Sequence, residues 1–361
     1  AKITDINGGQ LSNRNLIING AMRVAQRGTS STASGYGTVD RYRNNFSGGA
    51  VTQTQETLTS GDPFDAGFTK FLRLQNTTAA TGAGDFRQIQ YRFEGQDVAN
   101  SGWKFTSTTS YVTVCFWVRA SVTQTYYGFV ATKDGTDQIY SFPIALTANT
   151  WTKITETIPG AAANQIDNDS GEGFQITIVP FYGTNFTDSS NTDRTWRARA
   201  NTDDYMLDMT TTWANTTNAT FDVTGLQLEV GEVATAFEHR SFGDELARCE
   251  RYFELMQANN NIATGYSFTT SGAAVGLRFR TVKRAAPGTI TLAAAGTSSG
   301  QLTFLTSGGS YPSSTGTNSV DSITTDGFRV NSSGYSGLTD DSVAVFYITG
   351  SGTVAEVDAE L

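Results

Sequence analysis

Apolar and polar residues alternate along most of this chain. In "RQIQYRFEG" (87–95), Ile89, Tyr91 and Phe93 fall on one side, and Gln88, Gln90 and Arg92 on the other. "SYVTVCFWVRA" (110–120) gathers Val112, Val114, Phe116 and Val118 against Tyr111, Thr113, Cys115, Trp117 and Arg119. "FQITIVPF" (174–181) groups Phe174, Ile176 and Ile178, and "ATFDVTGLQLEV" (219–230) groups Phe221 and Val223, with Gly225 placed for a bulge. A period of two marks a half-buried strand. Asn19-Gly20, closing a strand over "NLIING" (15–20), and Asp134-Gly135, inside "YYGFVATKDGTDQIYSF" (126–142), mark turns. Many short strands joined by Ser/Thr/Asn-rich loops predict a two-sheet antiparallel jelly-roll sandwich over 15–240.

One segment breaks the rhythm. In "SFGDELARCERYFELM" (241–256), Leu246, Cys249, Phe253 and Met256 are spaced three, four, three, as on one helix face. Asp244 and Glu245 suit the positive end of a helix dipole. A connector helix is expected over 241–258. Short strand patterns return in "AAVGLRFRTV" (273–282), "QLTFLT" (301–306), "GFRVNS" (327–332) and "SVAVFYITG" (342–350). They predict a smaller C-terminal β-sandwich over 259–361. Residues 1–14, polar with Gly8-Gly9, read as an N-terminal attachment arm. The predicted fold class is all-β: an N-terminal antiparallel jelly-roll sandwich, a short connector helix and a smaller C-terminal β-sandwich.

Charge narrows the function classes. Charged residues make up 16% of the chain and the formal net charge is −9; soluble proteins carry about 25% charged residues. The basic clusters "RYR" (41–43), "RTWRARA" (194–200) and "RFRTVKR" (278–284) are short and alternate as solvated strand faces do. Nucleic acid is not an expected partner. No apolar run approaches the ~18 residues of a membrane span, so no membrane insertion is expected. The opening "AKITDINGGQLSNRN" has no apolar signal-peptide core. An uncharged polar surface without a secretion signal fits a virion protein released by lysis. Cys115, in a strand pattern, and Cys249, in the helix, are too few for a disulfide framework and read as inert thiols.

Candidate chemistry is thin. A zinc site needs several His or Cys ligands, and a Ser-His-Asp triad would have to use His239, the single histidine. His239 lies between Glu238 and Arg240, as in a surface ion cluster. Asp167, Asp169, Asp203 and Asp204 lie in polar loops, with nothing to raise the pKa of a general acid. No catalytic residue, metal or cofactor is expected, and the chain does not read as an enzyme. Sugar rings stack on exposed aromatics while Arg, Gln and Asn bond their hydroxyls. The non-core strand faces offer Trp117, Arg119, Tyr111, Gln90, Arg92 and Gln175 for such binding, with Trp196, Tyr205 and Trp213 as a loop rim. The same face could instead pack against another subunit.

Some motifs carry a resemblance. "NRNLIINGAMRVAQRGTS" (13–30) followed by "VDRYR" (39–43), "VTGLQLEVGEVATAFEHRSFGDELARCERYFE" (223–254), "VKRAAPGTITL" (282–292) and the terminal "AEL" resemble a group of bacteriophage tail-fibre and virion structural proteins. The first module is similar to carbohydrate-binding jelly rolls appended to glycosidases. The resemblance implies a non-enzymatic homotrimer in the virion. Its arm would dock other virion proteins and its outer faces would bind host surface polysaccharide. A capsid decoration protein or a glycan depolymerase are the alternatives. Calcium-stabilised relatives often carry acidic residues after the "NG" turn and in the last strand. Here Ala21 follows the turn, and the strand offers Asp222 and Glu229 around Gly225 and Gln227.

Overall fold

The computed structural model describes residues 13–295, 298, 300–305 and 313–361. Most of the expected arm, 1–12, lies outside them. The chain falls into two units. The first ends at Glu245 and takes in Leu361; the second is Leu246–Glu360.

The first unit is a sandwich of two antiparallel sheets. One has the order β1 (Ser30–Ser31), β3 (Ala50–Thr57), β4 (Lys70–Thr78), β12 (Ala219–Val230), β6 (Tyr111–Ala120), β9 (Thr152–Pro159). The other runs β11 (Arg197–Ala198), β8 (Gln138–Leu146), β7 (Gln124–Thr132), β10 (Glu172–Tyr182), β5 (Phe86–Glu94), β2 (Tyr42–Ser47). From β4 onward the chain crosses repeatedly between the two sheets, as in a jelly roll. Three short helices, α1 (Asp62–Asp65), α2 (Gly95–Ala99) and α3 (Thr212–Asn215), lie in the connections.

The alternation decides which residues meet between the sheets. Val112, Val114, Phe116, Val118, Phe221 and Val223 from one sheet are fully buried, as are Phe174 and Tyr126 from the other. Ile89, Tyr91, Phe93, Ile176 and Ile178 are within 2% of full burial. The Tyr126 and Phe221 rings meet edge to face at 5.1 Å across the interior. Burial of this apolar surface, at ~25 cal/mol per Å², is what holds the two layers together.

The bulge falls where Gly225 predicted it. Pairing of β12 with β6 shifts register between Thr224 and Gln227, and Gly225 takes φ +66°. The expected strand over 15–20 does not form. That segment crosses the bulged stretch of β12 instead, with Leu16 N donating to Leu228 O (2.9 Å) and Leu226 N to Gly20 O (3.0 Å). Asn19, at φ 59°, turns the chain away before a ladder can extend.

Helix α4 (Phe242–Glu250) carries the division between the units. It is capped by Ser241, whose Oγ accepts from Asp244 N at 3.1 Å. It ends earlier than its apolar spacing suggested. From Phe253 the chain is strand β13 (Phe253–Thr269), paired with β19 (Ser342–Asp358) from Phe253 opposite Asp358 onward. Phe253 and Met256 sit at helical spacing, yet strand pairing satisfies the backbone there.

The second unit arranges β15 (Thr289–Leu292), β19, β13, β14 (Gly272–Arg278), β18 (Gly327–Ser336) and β17 (Ser313–Asp321) in one antiparallel order, with β16 (Leu302–Leu305) paired to β19. Register shifts in the 17-residue strands β13 and β19 bend them around a core. Val275 and Val330 meet Leu302, Phe304 and Phe346 there.

Candidate functional site

The six residues expected to bind sugar do not form one site. Tyr111, Trp117 and Arg119 lie on β6; Gln90 and Arg92 lie on β5, and Gln175 on β10. These strands belong to different sheets. The sheets turn their apolar sides toward each other, so the two groups face opposite ways.

The β6 group is occupied structurally. Arg119 donates through Nε (3.0 Å) and NH2 (2.7 Å) to Asp222 Oδ2, while Arg73 binds the same carboxylate at 2.7 and 2.9 Å. The Arg119 guanidinium also lies 4.7 Å from the Trp151 ring centre. Trp117 packs with Trp151 and Phe237 against Leu58, Phe68 and Phe71. Tyr111 lies six residues along the strand, roughly 20 Å away at ~3.3 Å per residue.

The other group comes together. Register places Arg92 opposite Gln175, Gln90 opposite Thr177, and Gln90 opposite Arg43 on β2. Gln90 Oε1 accepts from Arg43 NH1 (3.1 Å) and Asn45 Nδ2 (3.2 Å). Gln175 Nε2 donates to Thr177 Oγ1 at 3.4 Å. Tyr182 donates its hydroxyl to Gln88 Oε1. Arg92 pairs with Glu172 at 3.2 Å and donates to Leu361 O at 2.9 Å. The result is a strip of amides fringed by guanidinium groups. Burial pushes the Glu172 carboxyl and the Tyr182 phenol up. Arg43 and Asn45 were missed as site residues, although they alternate with buried Tyr42 and Asn44 and so share the outer face.

The rest of this outer face is roofed. Phe129, Ile139 and Val179 point away from the main core, yet they are buried under Met206, Phe186, Tyr205, Leu207 and Met209. Strands β7, β8 and β10 are therefore covered on both sides, which explains their nearly continuous apolar sequence. The loop aromatics have separate roles. Tyr205 flanks the strip, its ring 5.7 Å from Tyr182 and 5.1 Å from the Arg199 guanidinium. Trp196 packs on Tyr140 at 5.6 Å and donates to Pro159 O at 2.6 Å. Trp213 is fully buried, donating to Thr220 O at 3.0 Å, and so cannot rim a site.

His239 packs between Phe68 (5.2 Å) and Phe237 (4.9 Å), its Nε2 3.2 Å from Ala66 O. Its neighbours fasten the segment that crosses β12. Glu238 accepts from Asn13 N (2.6 Å) and Asn15 N (2.9 Å), and Arg240 bonds Ile17 O at 2.9 Å and Glu245 at 3.1 Å. The loop carboxylates brace turns: Asp169 accepts from Gly171 N at 2.8 Å, and Asp204 from Ala200 N (2.8 Å) and Asn201 N (2.6 Å). Glu229 is bonded to Thr235 and Gln227. Among the described residues no group of three or more His, Cys, Asp or Glu side chains is placed to hold a metal ion. Gln88, Gln90 and Gln175 are only 7%, 7% and 5% exposed, so the groups the strip presents for hydrogen bonding are chiefly those of half-buried Arg43, Asn45 and Arg92, seated on the amides beneath.

No protein family and no curated protein matches this sequence. Solved structures do resemble it. The enzymatically active domain of tailspike protein 4 from bacteriophage CBA120 aligns with 60% of this chain and 22% of its own, at 9% identity and TM-score 0.33. The CBM22-1 xylan-binding domain of Xyn10C from Paenibacillus barcinonensis aligns with 57% of this chain and 94% of its own, at 12% identity and TM-score 0.28. A putative sugar binding protein from Bacteroides thetaiotaomicron aligns with 60% of this chain and 100% of its own, at 10% identity and TM-score 0.30. At such TM-scores these likenesses carry no argument by themselves, and the jelly-roll assignment rests on the strand order and register above.

Proposed function

We propose that the first unit is a glycan-binding module acting without catalysis, on the outer face of the β2–β5–β10 sheet. The observation that carries the reading is the polar strip: Gln88, Gln90 and Gln175 line up between Arg43, Arg92 and the Tyr182–Tyr205 wall. Amides held by neighbours are preorganised for sugar hydroxyls, and preorganisation lowers the cost of binding. The motif resemblance to tail-fibre proteins supports a virion appendage as the setting. There a homotrimer would bind host surface polysaccharide through three weak sites acting together.

The test is titration of the purified chain with a panel of bacterial surface oligosaccharides, followed by calorimetry. Gln90→Ala and Gln175→Ala should each weaken binding about 10-fold or more, while Trp117→Ala, on the opposite face, should leave it unchanged. Equal loss from Trp117→Ala would move the site to the other sheet. New reducing ends on incubation with polysaccharide would replace the binding role with a hydrolytic one. Sedimentation as a monomer at micromolar concentration would remove the trimer, and immunogold labelling away from the tail would remove the receptor role.

A further inference from the structure

Arginines of the first unit mostly meet carboxylates. Arg73 and Arg119 close on Asp222 at 2.7 Å each, Arg194 on Glu156 at 2.9 Å, and Arg240 on Glu238 at 3.0 Å. Even Arg92, inside the strip, pairs with Glu172. Arg43 differs. It is half-buried on the edge strand β2, its guanidinium donates to the neutral side-chain amide of Gln90, and, as for Arg87 and Arg197, among the described residues no carboxylate lies within 4.0 Å of it. Its charged surroundings are mixed. Arg92 is close enough to disfavour its protonation further, after burial, while Tyr36 favours it. Glu172, already paired with Arg92, offsets this only in part. A partly desolvated guanidinium without a direct ion pair carries a cost that a bound anion would offset.

We propose that the ligand of the strip brings that anion: a carboxylate-bearing sugar, of uronic or sialic acid type, whose carboxylate pairs with Arg43 while Gln90 and Asn45 bond its hydroxyls. The inference rests on the glycan-binding reading and names its substrate class. A carboxylate matches the planar fork of a guanidinium in a bidentate geometry. The partly desolvated setting strengthens the charge-assisted bonds relative to those at a fully solvated surface.

Calorimetry on the full chain tests this with matched oligosaccharides: uronic-acid and sialylated ones, the same compounds after carboxyl reduction, neutral gluco-, xylo- and galacto-oligosaccharides, and sulfated ones. Carboxyl reduction should weaken binding about 10-fold or more. Arg43→Gln should produce the same loss for the acidic ligands, and Arg43→Lys a smaller one, with unchanged thermal melting showing that both variants fold. If neutral ligands bind as well as acidic ones and Gln90→Ala still abolishes binding, the acidic-sugar inference falls and the glycan-binding reading stands. If sulfated ligands bind and carboxylated ones do not, the carboxylate assignment falls. If no member of the panel binds, both are overturned.

Discussion

Lys283 Nζ lies 2.6 Å from Glu254 Oε2 in the second unit, with both side chains sealed from water. The same ammonium donates to the carbonyl of Glu250, the last residue of α4, and lies 4.8 Å from the Phe279 ring centre. A cation at a helix C-terminus is favoured by the dipole. Burial still holds the Lys283 pKa below its usual value. Lys283→Ala would leave the buried Glu254 with only Arg280, whose Nε lies 4.0 Å from Oε1 and whose backbone N–H donates to the carboxylate. It should cost ~3–5 kcal/mol of stability, while replacing both partners by methionine should recover most of the loss. Urea denaturation of the single and double variants measures this.

Asp222 holds two guanidinium groups on the outer face of its sheet, and its own side chain is 1% exposed. Asp222→Asn strips both arginines of their counter-charge. Because each arginine is 27% exposed, water offsets part of the loss. The expected cost is roughly 2–3 kcal/mol, below that of a fully buried pair. Glycan affinity should stay unchanged, since the strip lies on the opposite sheet; a matching loss of affinity would show that the two faces are coupled.

Gly225 has two reasons to be glycine. Its φ is +66°, and a Cβ there would lie 2.7 Å from the Phe68 ring. Gly225→Ala should destabilise the first unit by roughly 1–3 kcal/mol, through backbone strain and overpacking together. A chemical-denaturation midpoint indistinguishable from that of the parent would mean that the bulge can relax.

Burial, then the charge of Glu156, raises the Tyr140 phenol from 10.0 to about 12. The unfolded phenol loses its proton near pH ~10. Between these values the folded state holds a proton that the unfolded state has released, so stability falls as pH rises. The contribution is complete below pH ~10 and lost by about pH 12, at roughly 2 kcal/mol. Tyr140→Phe should flatten that part of the stability–pH curve, read by denaturant titration at several alkaline pH values.

How much of this was legible beforehand differs from strand to strand. Strand β6 was readable residue by residue, because one side meets the core and the other faces outward; Phe116 is fully buried and Trp117 half-buried. Strand β7 was not, because the segment 183–211 covers its second side and buries Phe129 as deeply as Tyr126. Strand β17, "SSTGTNSVD", lacks apolar alternation and is held by pairing with β18. The helix extends less far than its spacing suggested, because spacing of three and four residues cannot exclude a strand that begins three residues after the helix ends.

The sequence by itself determined the all-β class, the bulge at Gly225 and the inward rows of Phe116, Ile176 and Phe221, since a period of two leaves the pleat only one way to bury them. Only the tertiary structure decided that Trp117 and Arg119 look away from Gln90, Arg92 and Gln175. A strand records its own two sides but not which sheet it will join. That membership is set by long-range pairing, Arg119 with Asp222 in one sheet and Gln90 with Arg43 in the other.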